Sequence, residues 1–415
     1  MRSKLFLIGL ICTSLAACTT PIETSTGSCE PDNGWLFLGE EPYTLATKVN
    51  AAPGPASFCL VTDRSLMGEP EVIFTADATV GADSTLCVEL GTLEPGFYQV
   101  RLRDSVRFNI GVRPDAVVSA PDARPDFNAF WERTFAELET VPMEPEWVEI
   151  PENTNELRST FDVFYKSLGG ETTGCTVCIP NAPGKYPVYL QYMGYGAPHF
   201  RFDPSANPDR IDILVSVRGQ GIFKKAEERW ICQGLADKET YYYRGAFCDV
   251  KRAVDFAASL EKADTDRIVA FGESQGGAFT FIAAATDTRI KVAAPAVPFL
   301  GDYPDYARIV DWPMDQVFEE ADNLGIGREE LFRTLSYFDV KNFAPRITCP
   351  VIMAFGLQDP TCPPHTNFSI YNNLGTQDKR FVCVPTCGHA MWLEPAWPPI
   401  RDAFFSEKCK NCVNL

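Results

Sequence analysis

Histidine is scarce, with three in 415 residues. His199, His365 and His389 are far apart in the chain, and no Gly-rich phosphate loop follows the first apolar core strand, so neither a metal nor an organic cofactor is expected. Positive charge is also short: 37 basic residues against 55 acidic ones leave a formal charge of −18. Such a chain is repelled by phosphate backbones, which excludes nucleic acid as a partner. Beyond the N-terminus no apolar run is long enough to cross a bilayer, which excludes a polytopic membrane protein. Hydrophobic content of 45% and charged content of 22% exclude wholesale disorder.

What is present begins with an address. Arg2 and Lys4 precede the apolar stretch Leu5 to Leu15, the layout of a secretion leader over residues 1–17. It ends Leu15-Ala16-Ala17-Cys18, which looks like the lipobox of bacterial lipoproteins, with Cys18 as the lipidated residue. Acyl chains must then supply the tether to a bacterial membrane, because the acidic protein does not. Thr19, where an aspartate would argue for inner-membrane retention, points to the outer membrane of the cell envelope, with its face left open.

Fifteen cysteines less Cys12 and Cys18 leave an odd number in a compartment that permits disulfides. Cys175-x-x-Cys178 and Cys409-x-x-Cys412 mimic a zinc site, but they are distant in sequence and Cys175 and Cys178 fall in an apparent strand, where positions three apart face opposite ways. Packed thiols or disulfides are the better reading. Cys409 and Cys412 are candidates to staple the tail, and Cys59 and Cys87 either bridge two sheets or stay as thiols.

The length suits two or three folding units. After a tether over 18–33, residues 34–112 read as about seven short strands with turns every 8–12 residues, predicting an all-β immunoglobulin-like sandwich. Residues 113–125 hold Pro114, Pro121 and Pro125 and read as a linker. From 126 to 415, a helix over Phe127 to Leu138 is followed by apolar strands at Val188 to Tyr192, Ile211 to Val217, Ile268 to Phe271 and Val351 to Phe355, with a helix from Cys248 to Leu260. That alternation predicts an α/β doubly wound, mostly parallel sheet.

The chemistry sits at the ends of those strands. Gly272-Glu-Ser274-Gln-Gly276 lies between a buried strand and a small-residue helix, the setting of a nucleophile elbow in which a β-carbon beside the serine would crowd the turn. A serine hydroxyl needs a histidine base, and the base needs an acid that fixes its tautomer. His389 lies in a loop after a predicted strand, and Asp359 follows the strand Val351 to Phe355, completing the order Ser274, Asp359, His389 of an α/β-hydrolase. Oxyanion donors are expected from the backbone N–H of Gln275 and, in the loop Gln191 to Pro198, that of Tyr195.

Residues of about 119 to 400 resemble the acetyl xylan esterase and cephalosporin C deacetylase family, carbohydrate esterase family seven. The resemblance rests on Arg218-Gly219-Gln220, Tyr243-Arg244-Gly245 ahead of Asp249, Gly272 to Gly277, Val297-Pro298-Phe299-Leu300, and Gly356-Leu-Gln-Asp359 followed by Cys362-Pro-Pro364. It implies a serine esterase on an α/β-hydrolase fold, with Ser274, Asp359 and His389 as triad and Tyr195 and Gln275 as oxyanion donors. It also implies Pro298 in the wall around an acetyl group, with Arg218, Gly219 and Gln220 as a motif that braces the loops. The implied partner is an acetylated carbohydrate, foremost an acetylated xylo-oligosaccharide. Ala390 stands where the family usually has glutamate. The family's hexamer is not carried over to a tethered chain with an added domain, and oligomeric state stays open. A peptidase or broad carboxylesterase, and a surface glycan-binding lipoprotein without catalysis, are the competing readings.

Overall fold

The computed structural model describes residues 35–39, 41–63, 70–103, 106–224 and 228–409, so the expected leader, Cys18, the tether and Cys412 lie outside the described residues. Among the described residues the N-terminal body holds seven strands: β1 (Leu36–Phe37), β2 (Tyr43–Lys48), β3 (Gly54–Thr62), β4 (Val72–Val80), β5 (Thr85–Gly91), β6 (Gly96–Leu102) and β7 (Val106–Val112). Along β2 and β5 buried and exposed residues alternate, the period-two pattern of a strand with one face in the core. The strand order is β1-β7-β6-β3-β4-β5-β2, and β4 meets β5 at one bridge, Val80 with Leu86. Cys59 and Cys87 are free thiols, so of the two readings the bridge is the one that fails.

The second body is built on nine strands: β8 (Glu146–Glu149), β9 (Arg158–Lys166), β10 (Thr172–Pro180), β11 (Tyr186–Tyr192), β12 (Ile211–Ser216), β13 (Ala263–Glu273), β14 (Ile290–Ala296), β15 (Val351–Gly356) and β16 (Lys379–Val384). Their order is β16-β15-β14-β13-β11-β12-β10-β9-β8, parallel from β16 to β12 and antiparallel from β10 to β8. Every residue of β12 and β15 is buried, as a sheet covered by helices on both faces requires. The covering helices are α1 (Phe127–Glu139), α2 (Tyr242–Ser259), α3 (Gln275–Thr286), α4 (Tyr303–Ile309), α5 (Met314–Leu324), α6 (Arg328–Leu335), α7 (Val340–Phe343), α8 (Pro364–Tyr371) and α9 (Trp397–Lys408). Among the described residues no helix is long and apolar enough to cross a membrane.

Two expectations change. Helix α2 begins at Tyr242 rather than Cys248: Tyr242 and Tyr243 are buried in its first turn and donate their hydroxyls to Arg218 O after β12 and to Gln275 Oε1 at the start of α3. The segment read as a linker is pinned along its length. Asn372 Nδ2 donates to the carbonyls of Pro114 (2.9 Å) and Val117 (2.8 Å), and Asn373 Nδ2 donates to that of Ser119 (2.6 Å). Cys175 and Cys178 are buried free thiols, and Cys409 is disulfide-bonded.

Candidate active site

Strand β13 ends at Glu273 and α3 starts at Gln275, leaving Ser274 alone on the turn with φ 58° and ψ −121°. A positive φ is costly for a residue with a β-carbon, and the surroundings hold it there. Ser274 N donates to the carbonyl of Ala296 at the end of β14 (3.0 Å), and Ser274 O accepts from Phe299 N (3.0 Å). A β-carbon on Gly276 would stand 2.1 Å from Tyr192 O, and one on Gly272 2.6 Å from the same atom, so both glycines are demanded by close approach of backbone. The serine therefore sits above the N-terminus of α3, where unpaired N–H groups favour negative charge.

Asp359 and His389 come together from loops after β15 and β16. His389 Nδ1 lies 2.9 Å from Asp359 Oδ2, while Asp359 Oδ1 accepts from the backbone N–H groups of Thr361 and Cys362, both at 2.8 Å. Burial pushes the imidazole down, but the Asp359 carboxylate and its hydrogen bond outweigh this and raise it above its ordinary range. Cys362, in van der Waals reach of Ser274 Oγ at 3.9 Å, also faces His389. Burial pushes that thiol up, which keeps it neutral, so the Asp359 carboxylate is the main charge that raises the histidine.

The expected bracing residues form one network. Arg218 grips Asp249 with Nε (2.9 Å) and Nη2 (2.8 Å), and its backbone N–H adds a third bond at 2.9 Å. Burial opposes the guanidinium charge, but Asp249 more than compensates and holds it firmly protonated. Gly245 is needed beside it, since a β-carbon there would meet Arg218 Nη1 at 2.1 Å. Gly219 has φ 74° and a β-carbon there would be 2.9 Å from Trp230 Nε1. Gln220 Oε1 accepts from Gly196 N (2.9 Å), tying down the loop that carries Tyr195. The Tyr195 ring packs edge-on against Trp230 and Trp312, at 5.2 and 6.1 Å. Pro298 lies against Gly277 of α3, and Asn367 Nδ2 holds its carbonyl at 3.0 Å.

The other two histidines sit elsewhere. His199 contacts Thr176 Oγ1 at 2.8 Å, and His365 stands between Asp63 and Asp305. Asp302, Asp305 and His365 are spaced as cation ligands would be, but Lys341 Nζ, 2.9 Å from Asp302, already supplies positive charge there. Sequence reasoning missed three neighbours of the site: Cys362, whose place three residues after Asp359 was the signal; Glu273, beside the serine; and Gln358, beside the acid.

The acetyl xylan esterase (AXE1) family model matches residues 118–395. The acetyl esterase Axe7A of Xylanibacter ruminicola is 27% identical over 392 residues, spanning 86% of each chain. Among solved structures, the acetyl xylan esterase from Paenibacillus sp. R4 is 29% identical with a TM-score of 0.63, covering 70% of this chain and 98% of that one. Acetyl xylan esterase 1 from Thermoanaerobacterium sp. JW/SL YS485 is 26% identical with a TM-score of 0.62, covering 71% and 97%. The second body is thus an α/β-hydrolase preceded by a β-rich body, and the chain belongs to the acetyl xylan esterase family.

Proposed function

We propose that this protein is a serine esterase that removes acetyl groups from acetylated xylo-oligosaccharides or related carbohydrates. The observation that carries the reading is the elbow serine at φ 58° together with the His389–Asp359 pair at 2.9 Å, in a chain of this family. Ser274 Oγ attacks the acetyl carbonyl while His389 takes its proton, and Asp359 holds the imidazole and stabilises its cation. The backbone N–H groups of Gln275 and Tyr195 are the donors assigned to the oxyanion. His389 returns the proton to the departing sugar hydroxyl, leaving acetyl-Ser274. Water, deprotonated by His389, then releases acetate and restores the serine. Pro298 is assigned to the wall around the acetyl methyl, with Arg218, Gly219 and Gln220 as supports rather than reactants.

A carbohydrate fits the surroundings of the triad. Trp392, 60% exposed, packs edge-on to His389 at 6.1 Å, and Trp312, 43% exposed, packs on Tyr195, which leaves indole faces open beside the base and the oxyanion loop. Indoles offer apolar area to the C–H face of a pyranose at small entropic cost.

Cys18 is assigned as the lipid anchor, holding the enzyme in a bacterial envelope, at the outer membrane; the support is the leader-like sequence before it. The N-terminal body is read as an immunoglobulin-like sandwich, supported by its seven strands and the single bridge between β4 and β5. Acetate release from acetylated xylan by the protein starting after Cys18, compared with acetate, octanoate and peptide amide substrates, tests the activity. Preference for octanoate or amide would favour a broad carboxylesterase or a peptidase.

A further inference from the structure

The two solved acetyl xylan esterases cover about seven-tenths of this chain, and the family model matches from residue 118, after the N-terminal body. Its position in this chain is informative. Among the described residues β1 pairs with β7 at Gly111 and Val112, and the outer edge of β7 at Asn109 is met by another group. An open edge needs partners for its N–H and C=O groups. Here the partner is a side chain from the other body: Gln358 Oε1 accepts from Asn109 N at 2.7 Å, and Gln358 Nε2 donates to Asn109 O at 3.1 Å. Asn109 Nδ2 adds a bond to Leu357 O at 3.1 Å.

Gln358 immediately precedes Asp359, and it also reaches the loop that carries His389. Its Nε2 donates to Pro385 O at 2.8 Å, and its backbone N–H donates to Cys387 O at 2.9 Å. One buried amide therefore joins the edge of β7, the acid loop and the histidine loop. The far end of the acid loop also meets the N-terminal body, by proximity and not by a hydrogen bond: His365 Nδ1 lies 3.3 Å from Asp63, while His365 Nε2 is hydrogen-bonded to Asp305 of α4 at 3.1 Å. Between these contacts stand Asp359 and Cys362.

We propose that the N-terminal body is a positioning element of the catalytic centre, with Asn109 acting through Gln358 to hold Asp359 in register with His389. A spacer or a sugar-binding module would not require main-chain bonds to the residue beside the acid. Gln358 is a positioning residue, touching neither substrate nor reacting atoms. The proposal rests on the esterase reading above.

The test uses the full chain with 4-nitrophenyl acetate, comparing wild type, Gln358→Met, which keeps length and removes the amide, and Asp63→Asn, which keeps shape and removes the charge toward His365. Gln358→Met is expected to lower kcat by about 10- to 100-fold with KM changed less than about 3-fold, because misplacement of a catalytic group acts on the chemical step. Asp63→Asn is expected to lower kcat by about 2- to 5-fold in the same pattern, and it carries the test alone if Gln358→Met does not fold. A normal kcat in the folded variants, with only a lower Tm, would overturn the proposal and leave the seam as simple packing. An inactive wild type would instead refute the esterase reading.

Discussion

Gln220 and Gln275 exchange two side-chain hydrogen bonds, Gln275 Nε2 to Gln220 Oε1 at 3.1 Å and Gln220 Nε2 to Gln275 Oε1 at 3.3 Å. Through them the loop of Tyr195 and the helix under Ser274 are one unit, completed by Tyr242 Oη (2.8 Å from Gln220 Nε2) and Tyr243 Oη (3.0 Å from Gln275 Oε1). Replacing Gln220 by Leu leaves the half-buried Gly196 N–H and the buried Gln275 Nε2 without their partners, at a cost of about 1–3 kcal/mol for each group left unsatisfied. The expected result is a clear loss in urea-unfolding free energy and a fall in kcat larger than the change in KM.

The Arg218–Asp249 pair has no such reserve. Asp249 is fully buried and accepts three bonds from one arginine, so Asp249→Asn leaves a partly buried guanidinium without its counter-charge. Breaking a buried pair from one side costs about 3–5 kcal/mol, and the exposed fraction of Arg218 sets this one at the lower end. Equilibrium unfolding of the variant should show a loss of that size.

Asp359→Asn tests the charge that the histidine feels. Without the carboxylate, kcat should fall by about 10⁴-fold, since imidazole loses both its tautomer and its counter-charge. Because Asp359 raises the imidazole, the acid limb of residual kcat/KM should also move to lower pH, measured with 4-nitrophenyl acetate.

Glu273 gives stability a pH dependence. Burial pushes its carboxyl from 4.5 up to about 7, against the opposing pull of Arg401, His389 and the Trp392 N–H. A carboxyl raised on folding adds stability that is complete below the unfolded value and is lost as pH rises through the folded one. The loss should therefore run from about pH 4.5 to about pH 7 and reach at most about 3 kcal/mol. Glu273→Gln should flatten Tm against pH in that window.

Trp392→Ala should raise KM for acetylated xylo-oligosaccharides by about 5-fold more than it changes KM for 4-nitrophenyl acetate, as removal of apolar contact area implies. Equal effects on both substrates would place Trp392 in support of His389 alone.

How much was legible follows from the range of each interaction. Short strands were readable across residues 34–112 from their alternation and turns, and the elbow was readable because Gly272 and Gly276 answer a local steric demand. The order Ser274, Asp359, His389 was readable because each residue follows a strand of recognisable pattern. Strand β14 escaped notice, since Ile290-Lys-Val-Ala-Ala-Pro-Ala296 is rich in alanine and holds a proline, and its role at the elbow depends on pairing with β13 and β15. The antiparallel β8 was missed too, because it is an edge strand exposed at every position and has no buried face to mark it. The seam was out of reach of pattern altogether, because Asn109 and Gln358 are separated by 249 positions and the Gln358 amide bonds to main-chain atoms of Asn109 that any residue carries.

The most direct measurement is acetate release from acetylated xylan by the protein starting after Cys18, beside its Ser274→Ala variant. A carbohydrate acetyl esterase should release acetate at a rate that falls to background in the folded variant. Undiminished release by Ser274→Ala, or no release by either protein from the sugar or from 4-nitrophenyl acetate, would contradict it.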